Sequence, residues 1–230
     1  MTNGGILYLV STPIGNLGDL TYRAVETLKA VDWIACEDTR HSKLLLDHYG
    51  IKKPLLSYFD FSEKKKAPEF IGRVLQGETA ALISDAGTPG IADPGFRLIQ
   101  EAIRQHVRLE ALPGASAFLT ALVVSGLPVN RFAFEGFAPL KEGAKKKWLE
   151  AFKNDAARTV IFYESPHRLL RTLEAMKDVL GDVPVVVARE LTKKFEEVSR
   201  APLSGQIEHF SNKKILGEFV LLFNLGYERT

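Results

Sequence analysis

Five short runs, Ile6 to Ser11, Trp33 to Glu37, Leu55 to Phe59, Ala80 to Ser84 and Arg108 to Leu112, lack the polar alternation of a half-exposed strand. Strands of that kind are buried on both faces, as in a parallel sheet covered by helices. Helix-period segments separate them. Thr21 caps one helix, with Ala24, Val25 and Leu28 on one face, and Asp93-Pro94 reads as an N-cap followed by proline at the first helical position. Gly50 and Gly77 sit where helices stop.

A helical pattern that begins around Ser116 breaks in the cluster Gly126-Leu127-Pro128-Val129-Asn130, which predicts a boundary between an N-terminal α/β domain, 1–127, and a C-terminal one, 128–230. The second domain reads as a strand at Phe132 to Gly136, a helix around Lys145 to Phe152 and a buried strand at Thr159 to Tyr163. Ser165-Pro166 then opens a helix that ends at Gly181. Val183 to Arg189, an edge strand at Glu196 to Ser199, and Glu218 to Asn224 complete it.

Thirty basic and 28 acidic residues among 230 leave a net charge of +2, so any polyanion binding must rest on local patches. Lys64-Lys65-Lys66, Lys145-Lys146-Lys147 and Lys213-Lys214 are such patches, read either as solvated faces or as phosphate contacts. The single cysteine, Cys36, excludes an intramolecular disulfide and lies in an apolar strand run. No basic region precedes the first apolar run and no apolar stretch is long enough to span a bilayer, so the expectation is a soluble, cytoplasmic protein. The phosphate-loop pattern Gly-x-x-x-x-Gly-Lys-Ser/Thr and the dinucleotide pattern Gly-x-Gly-x-x-Gly are both missing. The five histidines are scattered, which predicts no metal site.

Polar and glycine residues concentrate where predicted strands end, the edge at which open α/β sheets bind ligands. Ser11 to Asp19 follows the first strand and contains Pro13 and two glycines. Glu37-Asp38-Thr39-Arg40-His41-Ser42 follows the second; Thr39 alone would serve as a cap, leaving the other side chains solvated or lining a substrate pocket. Ser84 to Gly95 is the most informative. Its Asp85-Ala86-Gly87-Thr88-Pro89-Gly90 core continues through Ile91 to Gly95 with more glycine and proline than a connection needs, so its backbone is shaped to lie against a ligand. Pro113-Gly114-Ala115-Ser116-Ala117 offers a second small-residue edge and a helix N-terminus behind it.

These motifs, together with Phe162-Tyr163-Glu164-Ser165-Pro166-His167-Arg168, occur in an order that resembles the tetrapyrrole-methylase superfamily, also called class III S-adenosylmethionine methyltransferases, over nearly the whole chain. Within it the likeness is to members that 2'-O-methylate a cytidine ribose of 16S ribosomal RNA in the small ribosomal subunit. The resemblance implies two α/β domains, the first sheet mostly parallel and the second mixed, with S-adenosyl-L-methionine in the interdomain cleft, and a homodimer. It places the cofactor against Pro13, Asp85, Gly87, Thr88, Pro89, Gly90, Ile91, Pro113, Ser116 and Ala117. From the second domain it brings Phe162, Tyr163, Ala188, Gly217 and Glu218. Similar proteins often continue past the last strand with a basic helical segment, whereas this sequence stops at Thr230.

A ribose hydroxyl is a poor nucleophile at neutral pH, so a base or a cation beside the developing alkoxide would assist methyl transfer. Glu37, Asp38 and Glu164 are the candidates for base or hydroxyl positioner, and Arg40 and Arg168 for holding phosphate or polarising the acceptor. A methyltransferase of a tetrapyrrole or other small molecule, and a non-catalytic RNA-binding module, remain as alternatives.

Overall fold

A computed structural model describes residues 4–154 and 157–227, and the chain divides into two compact units, Met1–Ser116 and Ala117–Thr230. In the first unit the strands are β1 (Ile6–Val10), β2 (Trp33–Cys36), β3 (Leu55–Ser57), β4 (Ala80–Leu82) and β5 (Arg108–Leu112), joined by helices α1 (Tyr22–Ala30), α2 (Thr39–His48), α3 (Asp60–Leu75) and α4 (Phe96–Arg104). The sheet order is β3-β2-β4-β1-β5 and every pairing is parallel.

The strand period of two explains why the central runs are apolar on both faces, whereas β5 at the sheet edge carries Arg108 and Glu110 and is not buried on both faces as expected. Trp33 and Ala35 of β2 enter a core with Phe70, Ile71 and Val74 of α3 and Leu98 and Ala102 of α4. Ile34 and Cys36 enter the opposite core with Ala24 and Leu28 of α1 and Leu46 of α2. Each fully buried side chain of this size contributes about 1.5–3 kcal/mol relative to exposure, so both residue sets of one strand must be apolar.

Thr21 caps α1 as expected, its hydroxyl accepting the Ala24 N–H at 3.1 Å. The helix after the glycine-rich segment starts later than Asp93-Pro94 predicts: α4 begins at Phe96 with Gly95 at the cap position. The buried carboxylate of Glu63, from α3, accepts the Gly95 N–H at 2.6 Å and meets the need a local cap would have met. Asp38 rather than Thr39 caps α2.

The second unit contains α5 (Ala117–Ser125), β6 (Phe132–Phe137), α6 (Glu142–Phe152), β7 (Thr159–Glu164), α7 (Leu169–Leu180), β8 (Pro184–Arg189), β9 (Glu197–Pro202), α8 (Leu203–Ser211) and β10 (Phe219–Phe223). Its sheet order is β6-β7-β10-β8-β9; β6 pairs parallel with β7 and the remaining pairings are antiparallel, giving the mixed sheet. Phe162, Val187 and Leu221 face a core built with Leu149 and Phe152 of α6, Leu173 and Met176 of α7, and Phe210 of α8. Helix α5 packs against β7, β9 and β10, so the two units divide one helix ahead of the Gly126–Asn130 cluster. Helix α8 was not anticipated, although Leu203, Ile207 and Phe210 carry its period. Likewise α7 starts three residues after Pro166, because Ser165 to Arg168 close a turn through the Arg168 N–H to the Ser165 carbonyl, 3.1 Å.

Candidate functional site

In the first unit the C-terminal ends of β2, β4, β1 and β5 lie side by side in that order, and their loops form one edge. Thr12 and Gly87 exchange two backbone hydrogen bonds of 2.8 and 3.0 Å, joining the β1 loop to the glycine-rich turn. Hydroxyls complete the seam. Thr12 Oγ1 donates to the Ser84 carbonyl at 3.0 Å, Ser84 Oγ to the Gly87 carbonyl at 3.1 Å, and Thr88 Oγ1 to the Ala115 carbonyl at 3.4 Å. Ser11 Oγ and Thr88 Oγ1 lie 2.9 Å apart. A Cβ on Gly114 would come within 2.8 Å of the Ser11 Cβ, so the β5 loop reaches β1 only because it is bare there.

Gly95 is held more tightly still. Its φ of +142° is one that side chains rarely adopt, and a Cβ would lie 2.9 Å from Leu82 Cδ2 and 3.1 Å from the Gly90 nitrogen. With Ser11, Thr12, Ser84 and Thr88 turned onto the protein, the edge offers backbone, Ala86 and the 42% exposed Ile91 outward. Pro13 and Pro89 are buried behind it and Pro113 is exposed. Ser116 closes the first unit and Ala117 opens α5 in the second.

Asp85 accepts the Asp38 N–H at 3.3 Å and so joins the β2 loop to the same edge. Asp38 itself is committed locally. Its Oδ1 accepts the Arg40 N–H at 2.8 Å and the Arg40 guanidinium grips Oδ2 at 2.7 Å. The Arg40 side chain first, and then the cap hydrogen bond, hold the Asp38 carboxyl well below the usual carboxylate range. A carboxylate so stabilised is a weak proton acceptor. Arg40 is 90% exposed apart from this pair, and Glu37 lies half-buried directly after β2.

In the second unit Glu164 is fully buried, at the end of β7. One oxygen accepts the Ser165 N–H at 2.7 Å and pairs with Arg168 at 2.5 Å; the other accepts the Thr172 hydroxyl at 2.6 Å. Lys145 donates to Thr172 at 2.7 Å. Arg168 also donates to the Ala138 carbonyl at 3.1 Å, so Glu164 and Arg168 bind the β6–α6 and β7–α7 connections together. Lys145, which the lysine run marks as solvated or phosphate-binding, is instead 4% exposed, and burial lowers its ammonium from the ordinary lysine range.

Tyr163, Val220 and Ala188 are neighbours across β7, β10 and β8. Phe162, one position earlier, points to the opposite face, where its ring packs against Trp148 at 5.1 Å. The Phe162 side chain thus belongs to the core, and the strand period of two sets it on the face opposite Tyr163. Glu190 folds over Gly217, where a Cβ would collide with its carboxylate, and Lys193 bridges Glu190 and Glu218 at 2.9 and 2.7 Å. Glu63 and Thr172 carry no local motif that marks them, and Lys145 reads locally as one of a solvated lysine run, because each acts on a residue brought close only by the fold.

The model of the family described as tetrapyrrole (corrin/porphyrin) methylases matches residues 6–205. A Haemophilus influenzae protein named ribosomal RNA small subunit methyltransferase I is 54% identical over 221 residues, covering 95% of this chain and 78% of that one. The Thermotoga maritima protein of the same name is 43% identical over 220 residues, covering 96% and 98%. Among solved structures, a diphthine synthase superposes with a TM-score of 0.75 at 14% identity, covering 96% of this chain and 90% of that one. A cobalamin-biosynthetic cobalt precorrin-4 methyltransferase gives 0.66 at 16% identity, with 94% of each chain covered. The parallel sheet, the mixed sheet and the family match agree, and the chain belongs to the tetrapyrrole (corrin/porphyrin) methylases.

Proposed function

We propose that the protein transfers a methyl group from S-adenosyl-L-methionine to a ribosomal RNA of the small subunit, and that the acceptor is the 2'-hydroxyl of a cytidine in 16S RNA. The observation that carries this reading is the pairing of 43–54% identity, over nearly the whole chain, with relatives named as ribosomal RNA small subunit methyltransferases. The residues of the first unit fit the cofactor. Glycine and small residues leave backbone bare along Gly87 to Ile91 and Gly114 to Ser116, Ile91 offers an apolar contact, and Asp85 sets a carboxylate at the start of the turn. When bound, S-adenosylmethionine supplies an electrophilic methyl group.

The chain's own task is then alignment and exclusion of water, which requires the rigid edge that the hydroxyl seam provides. Of the three candidate carboxylates, Asp38 is held by Arg40, and Glu164 by Ser165, Arg168 and Thr172. In this reading Glu37, directly after β2 on the edge that carries the glycine-rich turn, takes the hydroxyl-positioning role, and the exposed Arg40 meets a phosphate. Homodimer formation, implied by the resemblance, is checked by light scattering.

Methyl incorporation into small ribosomal subunits from cells lacking the enzyme tests the acceptor; incorporation into a free tetrapyrrole instead would reverse the assignment. Calorimetry with S-adenosylmethionine tests the cofactor, and a folded protein that binds none is a non-catalytic module. Single-turnover transfer by Glu37→Gln, Asp38→Asn and Glu164→Gln tests the base. Glu37→Gln is expected to be the slowest, and unchanged rates in all three would remove acid-base assistance altogether.

A further inference from the structure

Beyond β8 and ahead of β10, the segments 190–196 and 212–218 are fastened into one ledge. The Glu190 N–H donates to the Glu218 carbonyl at 3.1 Å, and the Glu218 N–H returns a bond of 3.1 Å to the Glu190 carboxylate. Arg189 Nε donates to the Leu216 carbonyl at 2.9 Å, and Lys213 reaches Glu197 at 2.9 Å. Glu190 and Thr192 hold positive φ angles of 50° and 68°, which only a well-tied turn sustains in residues with side chains.

The ledge uses its acids internally. Glu190 and Glu218 hold Lys193, Glu196 accepts the Thr192 N–H at 2.6 Å, and Glu197 takes Arg189, His209 and Lys213. Lys194 and Lys214 are left exposed, with no ion-pair partner among the described residues. Between them in character is Phe195, 67% exposed, with the Lys194 ammonium 5.7 Å from its ring centroid. A tied turn that exposes an aromatic ring, with Lys194 over one face of it and no acid paired with Lys194 or Lys214 among the described residues, has the chemistry of a base-stacking platform flanked by phosphate contacts.

We propose that this ledge docks single-stranded RNA, Phe195 stacking on a base and Lys194 and Lys214 meeting the adjoining phosphates. The proposal rests on the RNA-methyltransferase reading and adds the surface that grips the substrate strand. Stacking needs an unpaired base, so the ledge favours single strands over duplex.

Fluorescence anisotropy with a short labelled cytidine-rich RNA, single-stranded or in duplex, tests it on the full chain, with S-adenosylmethionine calorimetry run in parallel. Phe195→Ala is expected to weaken single-strand binding about tenfold. Lys194→Ala combined with Lys214→Ala lowers the salt dependence, by about 0.7 in the log–log slope for each phosphate contact removed. All variants should bind S-adenosylmethionine like the parent, because these exposed side chains carry no fold contact that the cofactor edge needs. Parent-like RNA affinity and salt slope in both variants, with RNA and cofactor binding intact, overturns the ledge and spares the methyltransferase reading. A parent chain that binds the cofactor but no RNA overturns the RNA reading and the ledge together. Full affinity in Phe195→Leu would overturn stacking in particular.

Discussion

The glycine-rich turn after β4 and the Ser165–Arg168 turn after β7 do the same job in different units: each takes the chain from a buried strand into a helix. Both carry prolines where a helix start is expected, and in both the helix begins later. They are held by opposite means. The first is shaped by backbone, with Gly95 packed against Leu82 and Gly90 and neutral hydroxyls sewing the turn to the neighbouring loops. The second is locked by charge, with Glu164, Arg168 and Lys145 gathered around Thr172. A backbone-shaped turn leaves its outer edge open to a ligand, whereas a charge-locked turn has its polar groups committed and serves as a strut.

Four measurements break or sharpen this contrast. Glu164→Gln should have the largest effect, about 3–5 kcal/mol of stability lost, since Arg168 and Lys145 then stand in low dielectric without their acid; urea unfolding reads it, and a loss below about 1 kcal/mol, the worth of an exposed pair, would show the strut to be ordinary surface charge. Next, Gly95→Ala should cost about 1–3 kcal/mol through its positive φ and should weaken S-adenosylmethionine binding in calorimetry. Unaltered cofactor affinity in that variant would detach the turn's shape from ligand binding. Thr12→Val keeps volume and removes one donor, for about 0.5–1.5 kcal/mol, read by the same unfolding curves.

The smallest effect concerns a device the two units share. Asp32 accepts the Thr79 N–H and hydroxyl at 2.7 and 2.8 Å, and Asp182 accepts those of Ser204 at 2.7 Å each. The hydrogen bonds hold both carboxyls below the usual carboxylate range: for Asp32 the Thr79 N–H and then its hydroxyl, for Asp182 the Ser204 hydroxyl and then its N–H. The unfolded chain therefore takes up protons at a higher pH than the folded one. The stability these groups provide is present above the ordinary aspartate value and is lost as pH falls through it toward the folded values. Asp32→Asn and Asp182→Asn should each flatten the acid limb of stability against pH; an unchanged limb in both would remove the clamps from the account.

Much of the fold was legible in the chain. The apolar runs yielded a parallel sheet, buried on both faces in β2 and β4 but not along the edge strand β5, Thr21 yielded a cap, and Gly50, Gly77 and Gly181 the ends of helices. Glycine and proline excess singled out one turn, and the structure ties that turn to the β1 and β5 loops that the same reasoning selected. The misreadings share a cause. Asp93-Pro94 and Ser165-Pro166 have the composition of helix starts, but a cap competes with any other partner within reach. Glu63 from α3 and Glu164 from β7 were the partners that prevailed.

Periodicity, caps and turn residues act between neighbours in sequence, so the chain alone determined its strands, most of its helices and the glycine-rich loop at the sheet edge. What tertiary structure decided was the fate of ionisable side chains. Lys145 sits inside a run of three lysines yet is buried, Asp38 is consumed by its own cap, and Glu164 is a strut. Whether a charge is solvated, paired or poised for chemistry depends on dielectric and on partners brought together from distant positions, and no local pattern encodes either.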